Sequence, residues 1–393
     1  MDSSGFAARV DSIPDAGIGS IMSFASKFEN TISFGQGAPQ FPTPNFVYEE
    51  LGKRAKTDSS LGMYNSVNDK VQTPLKRLIV SEMKGKYGFE PDISEIYLTI
   101  GGLGGLFAAL MSIVEKGDEV IYLDPSYPLH LSQIAITEAV PVYVPLIEEL
   151  GWKINLNGIK QAITKKTKAI VLTNPNNPTG TVLTQEEVRA LSDLILENDL
   201  YLVLDEAYEY LTYERPLFSP MMLPDLRERI VLSKSFSKEY AMTGWRIGYL
   251  WMKEKLRNKI HGVHLHFSLN PATIAIAAAT IVLEDPRGKL AMQAMRSTIE
   301  ESREVICSRM DRLTGLFSYV KPMGAFYLFP KILPRDLGAK DLAIKLIEQV
   351  GVITIPGDTM GPAGVGHLRF SFATSKEKIS EGFDRLERFV AKM

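Results

Sequence analysis

The stretch IVLSKSFSKEYAMTGWRIGYLWM, residues 230–252, sets two β-prone runs around a loop of hydroxylated and cationic residues. IVLSKS (230–235) and IGYLWM (247–252) carry the β-branched and aromatic residues that suit strands. Between them Lys238 stands behind two alternating serines, and a Thr-Gly-Trp-Arg cluster ends in Arg246, eight residues on. A solvated lysine needs no such neighbours. A lysine that must hold an anionic ligand and react with it does.

Outward from this stretch, five more runs share its texture: EIYLTI (95–100), EVIYLD (119–124), VPVYVPL (140–146), AIVLTN (169–174) and YLVLDE (201–206). Amphipathic stretches of helical period separate most of them. TQEEVRALSDLILEND (184–199) is one, opened by a capping-box pattern of Thr184 and Glu187. Strands alternating with helices predict an α/β fold, with a mostly parallel seven-stranded sheet covered by helices on both faces. Past residue 285 the texture changes to a charged helical stretch (288–316), short strands near FSYVKP, AFYLFP and HLRFSFA, and a terminal helix. The expected organisation is a large domain over 46–284 and a smaller α+β domain made of 1–45 with 285–393.

The 393 residues are 45% hydrophobic and 23% charged, ordinary globular composition with enough apolar mass for a large core. A net charge of -2 argues against bulk attraction to nucleic acid or anionic lipid. The single cysteine, Cys307, excludes an internal disulfide framework and suits a cytoplasmic protein. The N-terminus lacks the basic start and apolar core of a signal peptide. The longest apolar-rich run, 272–283, falls short of the roughly 20 residues a membrane span needs, and reads as a buried helix.

In open α/β sheets, ligands sit beyond the carboxyl ends of the parallel strands. EIYLTI is followed by Gly101, Gly102, Leu103, Gly104 and Gly105; EVIYL by Asp124, Pro125, Ser126 and Tyr127. AIVLT leads into NPNNPTG (174–180), YLVL ends in Asp205 with Tyr208 three residues later, and IVLS leads to Ser235, Lys238 and Arg246. Each piece alone has a bland reading: a packed glycine helix, a turn, a capping carboxylate, a solvated lysine. Together they bring glycines, an amide, a carboxylate, phenols and two cations to one rim, and that convergence is the signal.

NPNNPTG, then DEAY, then SKSFSK followed by TGWR, strongly resembles the pyridoxal-phosphate (PLP) aminotransferases of fold type I, the class I/II or aspartate-aminotransferase-like family. The resemblance runs from SFGQGAPQFPTP (33–44) to HLRFSFA (367–373). It implies that Lys238 bonds the cofactor's aldehyde and then serves as the base. It implies that Ser235, Arg246 and the backbone N–H groups of Gly101, Gly102 and Leu103 hold the phosphate. Asp205 would pair with the ring nitrogen, Asn177 and Tyr208 would bond the phenolic oxygen, and Tyr127 would stack on the ring. Arg369, helped by the Gly37 backbone, would take the substrate α-carboxylate. The resemblance further implies a homodimer in which Tyr64 reaches the partner's active site.

The loop YNSVND (64–69) departs from the family pattern, with Asp69 where glycine is usual. Leu103 stands where some aspartate-specific members carry a lysine, and Ile18 is a candidate neighbour of the substrate side chain. Neutral or aromatic donors are therefore expected, exchanging amino groups with a 2-oxo acid. A PLP-dependent lyase, cyclase or oxidase working through the same intermediate stays open at this level. The histidines 261, 264 and 266 fit neither one helical face nor a standard zinc motif, so no metal is expected. A regulatory protein on this fold would carry a DNA-binding domain ahead of it, and only about 30 residues precede SFGQGAP without a basic helical pair.

Overall fold

The computed structural model describes residues 5, 7–14, 17–66, 70–334 and 336–392. Its centre is a seven-stranded sheet built from β2 (Ile96–Thr99), β3 (Glu119–Asp124), β4 (Val140–Pro145), β5 (Thr167–Thr173), β6 (Tyr201–Asp205), β7 (Ile230–Ser235) and β8 (Gly248–Trp251). Each falls on one of the expected runs. The spatial order is β2-β8-β7-β6-β5-β3-β4. The β7, β6, β5, β3 and β4 pairings are parallel, whereas β8 runs antiparallel to both β7 and β2. The chain after β7 turns straight back through a short helical turn, Phe236–Glu239, instead of crossing a face of the sheet.

Alternation sorts the strand residues between two cores. Ile121, Leu123, Ile170, Leu172, Leu202, Leu204, Ile230 and Leu232 belong to one. Val120, Tyr122, Ala169, Val171, Val203 and Val231 join the other. Successive side chains point to opposite faces and both faces are covered, so the strands read as unbroken apolar runs. Each buried aliphatic side chain contributes about 1.5–3 kcal/mol relative to leaving it in water. The edge strand β4, with Pro141 and Pro145, is largely half-buried or exposed, as an unpaired edge tolerates. The capping box forms as expected: Thr184 accepts from the Glu187 N–H, and the Glu187 carboxylate accepts from the Thr184 N–H at 2.8 Å.

A smaller antiparallel sheet orders β9 (Tyr327–Leu328), β12 (Leu368–Ser371) and β11 (Ile355–Pro356), with β12 central. Beside it β1 (Ile32–Ser33) pairs with β10 (Val352–Ile353) in parallel. The segment Thr273–Glu284 is a helix buried almost all round. Among the described residues no helix is long and apolar enough to cross a membrane.

Candidate active site

Register brings the chemistry to one rim: Thr173 stands opposite Asp205, Asp205 opposite Ser233, and Ser235 opposite Gly248. Above this rim lies a cavity of about 490 Å³. Ile18, Gly37, Gly102, Leu103, Tyr127, Asn177, Asp205, Tyr208, Ser235, Lys238, Arg246 and Arg369 all line it. Gly101 lies against Arg246 just behind the wall. Tyr64 is not brought there by its own chain. It is 93% exposed and borders a separate hollow with Leu269 and Ile274. Asp69 lies outside the described residues.

At one end the helix Gly101–Ile113 begins against the adjoining strands β7 and β8. Gly101 has a φ of +63°, and a Cβ there would come within 2.6 Å of Arg246 Nη2. A Cβ on Gly248 would sit 2.7 Å from the Gly102 nitrogen, so only glycine lets strand and helix start meet this closely. The free N–H groups of that first turn, the Arg246 guanidinium and Ser235 form a donor set suited to a phosphate. Arg246 itself is in the left-handed region and ties its Nη1 to the Thr243 carbonyl at 3.0 Å.

Lys238 occupies the middle. Its Nζ donates to the Gly37 carbonyl at 2.5 Å, and its own carbonyl accepts from the Tyr210 hydroxyl at 2.8 Å. Burial pulls its amine down to about 8, the Arg369 and Arg246 charges push the same way, and Asp205 opposes them. Asp205 accepts the Ala207 N–H at 3.1 Å through Oδ1. Its Oδ2 lies 3.3 Å from Nε2 of the buried His130, and neither ring nitrogen of that histidine makes a well-directed hydrogen bond.

The loops over the cavity are cross-linked. Asn176 donates to the Pro125 carbonyl at 3.0 Å and to Thr179 at 2.9 Å, which fixes the NPNNPTG loop against the one that carries Tyr127. Arg369, fully buried on β12, donates to Asn177 Oδ1 at 3.0 Å and to the Gly35 carbonyl at 2.8 Å, while its Nε has no partner. Tyr208 and Tyr327 share a hydrogen bond of 2.8 Å, and burial pushes both phenols up, Tyr327 to about 12. Of the remaining wall, Ile18 and Met22 from the helix Ile18–Ala25, Leu103 and Leu106 are apolar, while Gln36, Thr173 and Ser237 are polar but uncharged.

Tyr327, His130 and Met22 were not singled out from the sequence. Tyr327 sits in AFYLFP, where its spacing is that of an ordinary strand aromatic. The available signal was only that AFYLFP and HLRFSFA are neighbouring strands of one unit. His130 follows Tyr127 by one helical turn, and that spacing could have found it.

One cavity on an α/β scaffold thus gathers a buried lysine, a cluster of backbone, hydroxyl and guanidinium donors, a carboxylate and a second, buried arginine. The aminotransferase class I and II family model matches residues 29–386. The aspartate aminotransferase of Pyrococcus horikoshii is 32% identical over 382 residues, covering 97% of this chain and 96% of the relative. Aromatic-amino-acid aminotransferase 2 of Thermococcus litoralis is 31% identical, with 97% of each covered. The solved structure of Thermus thermophilus aspartate aminotransferase with maleate matches with a TM-score of 0.91 at 29% identity, over 98% of this chain and 99% of that one. The chain belongs to the class I and II aminotransferase family and is a PLP-dependent aminotransferase.

Proposed function

We propose that the cavity holds PLP and that the enzyme takes amino groups from 2-amino acids with uncharged, including aromatic, side chains and delivers them to 2-oxo acids. The observation that carries this reading is the lining of one cavity by Lys238, Asp205, Arg246 and Arg369 together. The glycine-built cradle at Gly101 and Gly248 and the donors beside it fit the phosphate group. When bound, the cofactor supplies a carbonyl that accepts the amino group and a conjugated ring that accepts the electron pair released at the substrate Cα.

The chain's residues do the rest. Arg246, Ser235 and the first N–H groups of the 101–113 helix, those of Gly102 and Leu103 among them, bind the phosphate dianion away from the reacting end. Asp205 holds the proton on the ring nitrogen, and its carboxylate is oriented by the Ala207 N–H, with His130 lying beside its other oxygen. With Asn177 Oδ1 engaged by Arg369, its amide N–H₂ is left to donate to the phenolic oxygen beside the Tyr208 hydroxyl. Tyr127 offers its ring face to the cofactor. Arg369, assisted by the Gly37 backbone, binds the α-carboxylate and so aims Cα at Lys238. Lys238 Nζ, uncharged once displaced, removes the Cα proton.

Ile18, Met22, Leu103 and Leu106 are apolar, and Gln36, Thr173 and Ser237 beside them carry no charge to pair with a second carboxylate. A buried unpaired carboxylate is heavily penalised, which favours uncharged donors. The same proposal includes a homodimer with Tyr64 at the partner's site, a cytoplasmic location suggested by the lone Cys307, and the division into 46–284 and 1–45 with 285–393.

Borohydride reduction of the holoenzyme followed by peptide mass analysis should find the cofactor on Lys238. A panel of amino donors should transfer from phenylalanine and leucine at least tenfold more efficiently, by kcat/KM, than from aspartate. An unlabelled Lys238 sinks the cofactor assignment, and a preference for aspartate sinks the donor class.

A further inference from the structure

Tyr327 lies on β9 opposite Ser371, so Arg369, two residues along β12, is its diagonal neighbour on the same face of the small sheet. Its ring lies beneath that arginine, with the guanidinium carbon 4.7 Å from the centroid. Its hydroxyl meets the Tyr208 hydroxyl at 2.8 Å. A Cβ on Gly37 would fall 2.9 Å from the same oxygen, so the glycine whose carbonyl receives Lys238 leaves room for this phenol. One fully buried side chain thus touches three parts of the site. We infer that Tyr327 is a positioning residue that sets the Tyr208 hydroxyl and the Arg369 guanidinium in their working orientations together.

This inference rests on the cofactor reading above. A phenol has one hydrogen to give. If Tyr208 gave its hydrogen to Tyr327, none would be left for an oxyanion in the cavity. With Tyr327 as donor, Tyr208 accepts from it and donates onward, and each bond strengthens the other. The Arg369 ends are held by Asn177 and Gly35, but its Nε is unpartnered, and the Tyr327 face supplies the support that keeps the guanidinium plane turned toward the carboxylate. The charged and titratable groups around Tyr327 include Arg369, Tyr208, Tyr127, Asp205 and Tyr210. A merely packed core tyrosine would link none of these to each other.

Tyr327→Phe keeps the ring and loses the hydroxyl; Tyr327→Leu loses both. In the holoenzyme, visible absorption of the bound cofactor is followed against pH, and equilibrium binding of 3-phenylpropanoate is measured separately. Tyr327→Phe should raise the spectral midpoint by about half to one pH unit, because Tyr208 then stabilises the oxyanion less. It should leave phenylpropanoate affinity within about twofold, whereas Tyr327→Leu should raise the midpoint equally and weaken phenylpropanoate about tenfold. Loss of both readouts to the same extent in both variants would mean loosened packing and overturn the inference. A wild-type cofactor band whose midpoint Tyr327→Phe leaves unmoved overturns this inference alone. Absence of any cofactor band in the wild type overturns the cofactor reading and the inference with it.

Discussion

At the centre of the cavity, Lys238 must lose a proton before its amine can form a bond. Burial and the nearby arginines depress its pKa to about 8, so the neutral form dominates above pH 8 and declines about tenfold per unit below it. Capture of PLP by the apoprotein should therefore accelerate about tenfold per pH unit up to about 8 and then level off. Stopped-flow absorbance would test this, and a rate still climbing past pH 10 would mean an ordinary solvated lysine. Lys238→Ala should retain cofactor without a covalent link and lose turnover by about a thousandfold or more. Lys238, Asp205 and Arg246 were legible in the sequence because each closes or follows a short contiguous strand run. Tyr327 was not, because it reaches the cavity through packing, and a tyrosine in a strand carries no local mark of what it will face; His130, one helical turn after Tyr127, could have been found by that spacing.

The seven strands were legible as elements for a similar reason: apolar alternation and β-branched content are local properties. The reversed sense of β8 was not, since alternation is the same read in either direction. Yet that reversal matters for the site. It starts β8 at the rim, where Gly248 lies with its Cα against the Lys234 carbonyl and the opening turn of the 101–113 helix. A methyl group at Gly248 would lie 2.6 Å from the Lys234 oxygen and 2.7 Å from the Gly102 nitrogen, both backbone atoms that cannot swing aside. Gly248→Ala should push the helix start away from β8 and spread the phosphate donors. The expected outcome is at least tenfold weaker cofactor retention on dialysis, with a stability loss of about 1–3 kcal/mol in denaturant titration. Unchanged retention would show that the helix start does not depend on this approach.

On the scale of the whole molecule, the surface around Tyr64 is where the proposed homodimer can be tested. Met63, Tyr64, Leu269 and Ile274 are 61%, 93%, 51% and 46% exposed, an apolar group in which the large side chains face outward. They are not loosely held. Thr273 donates to the Met63 carbonyl at 2.6 Å, Asn65 to the Pro271 carbonyl at 2.9 Å, and Asn270 to the Asn65 carbonyl at 2.8 Å. Backbone stapled this firmly around exposed apolar groups suits a surface that the proposed dimer would cover. The sequence pointed to Tyr64 only through resemblance, because a role at a neighbour's site, as proposed for it, would leave no signal in its own chain's periodicity. Ile274→Arg places a charge in the middle of this surface while leaving the buried face of its helix intact, so the monomer fold should be preserved. Sedimentation equilibrium should find a wild-type dimer at micromolar concentration and a largely monomeric variant, since burying the unpaired cation would cost several kcal/mol. If the active sites are shared, the monomeric variant should also lose cofactor on dialysis at least tenfold faster than the wild type. A variant that stays dimeric with full cofactor retention would place the subunit contact elsewhere and leave Tyr64 as a solvent-facing phenol.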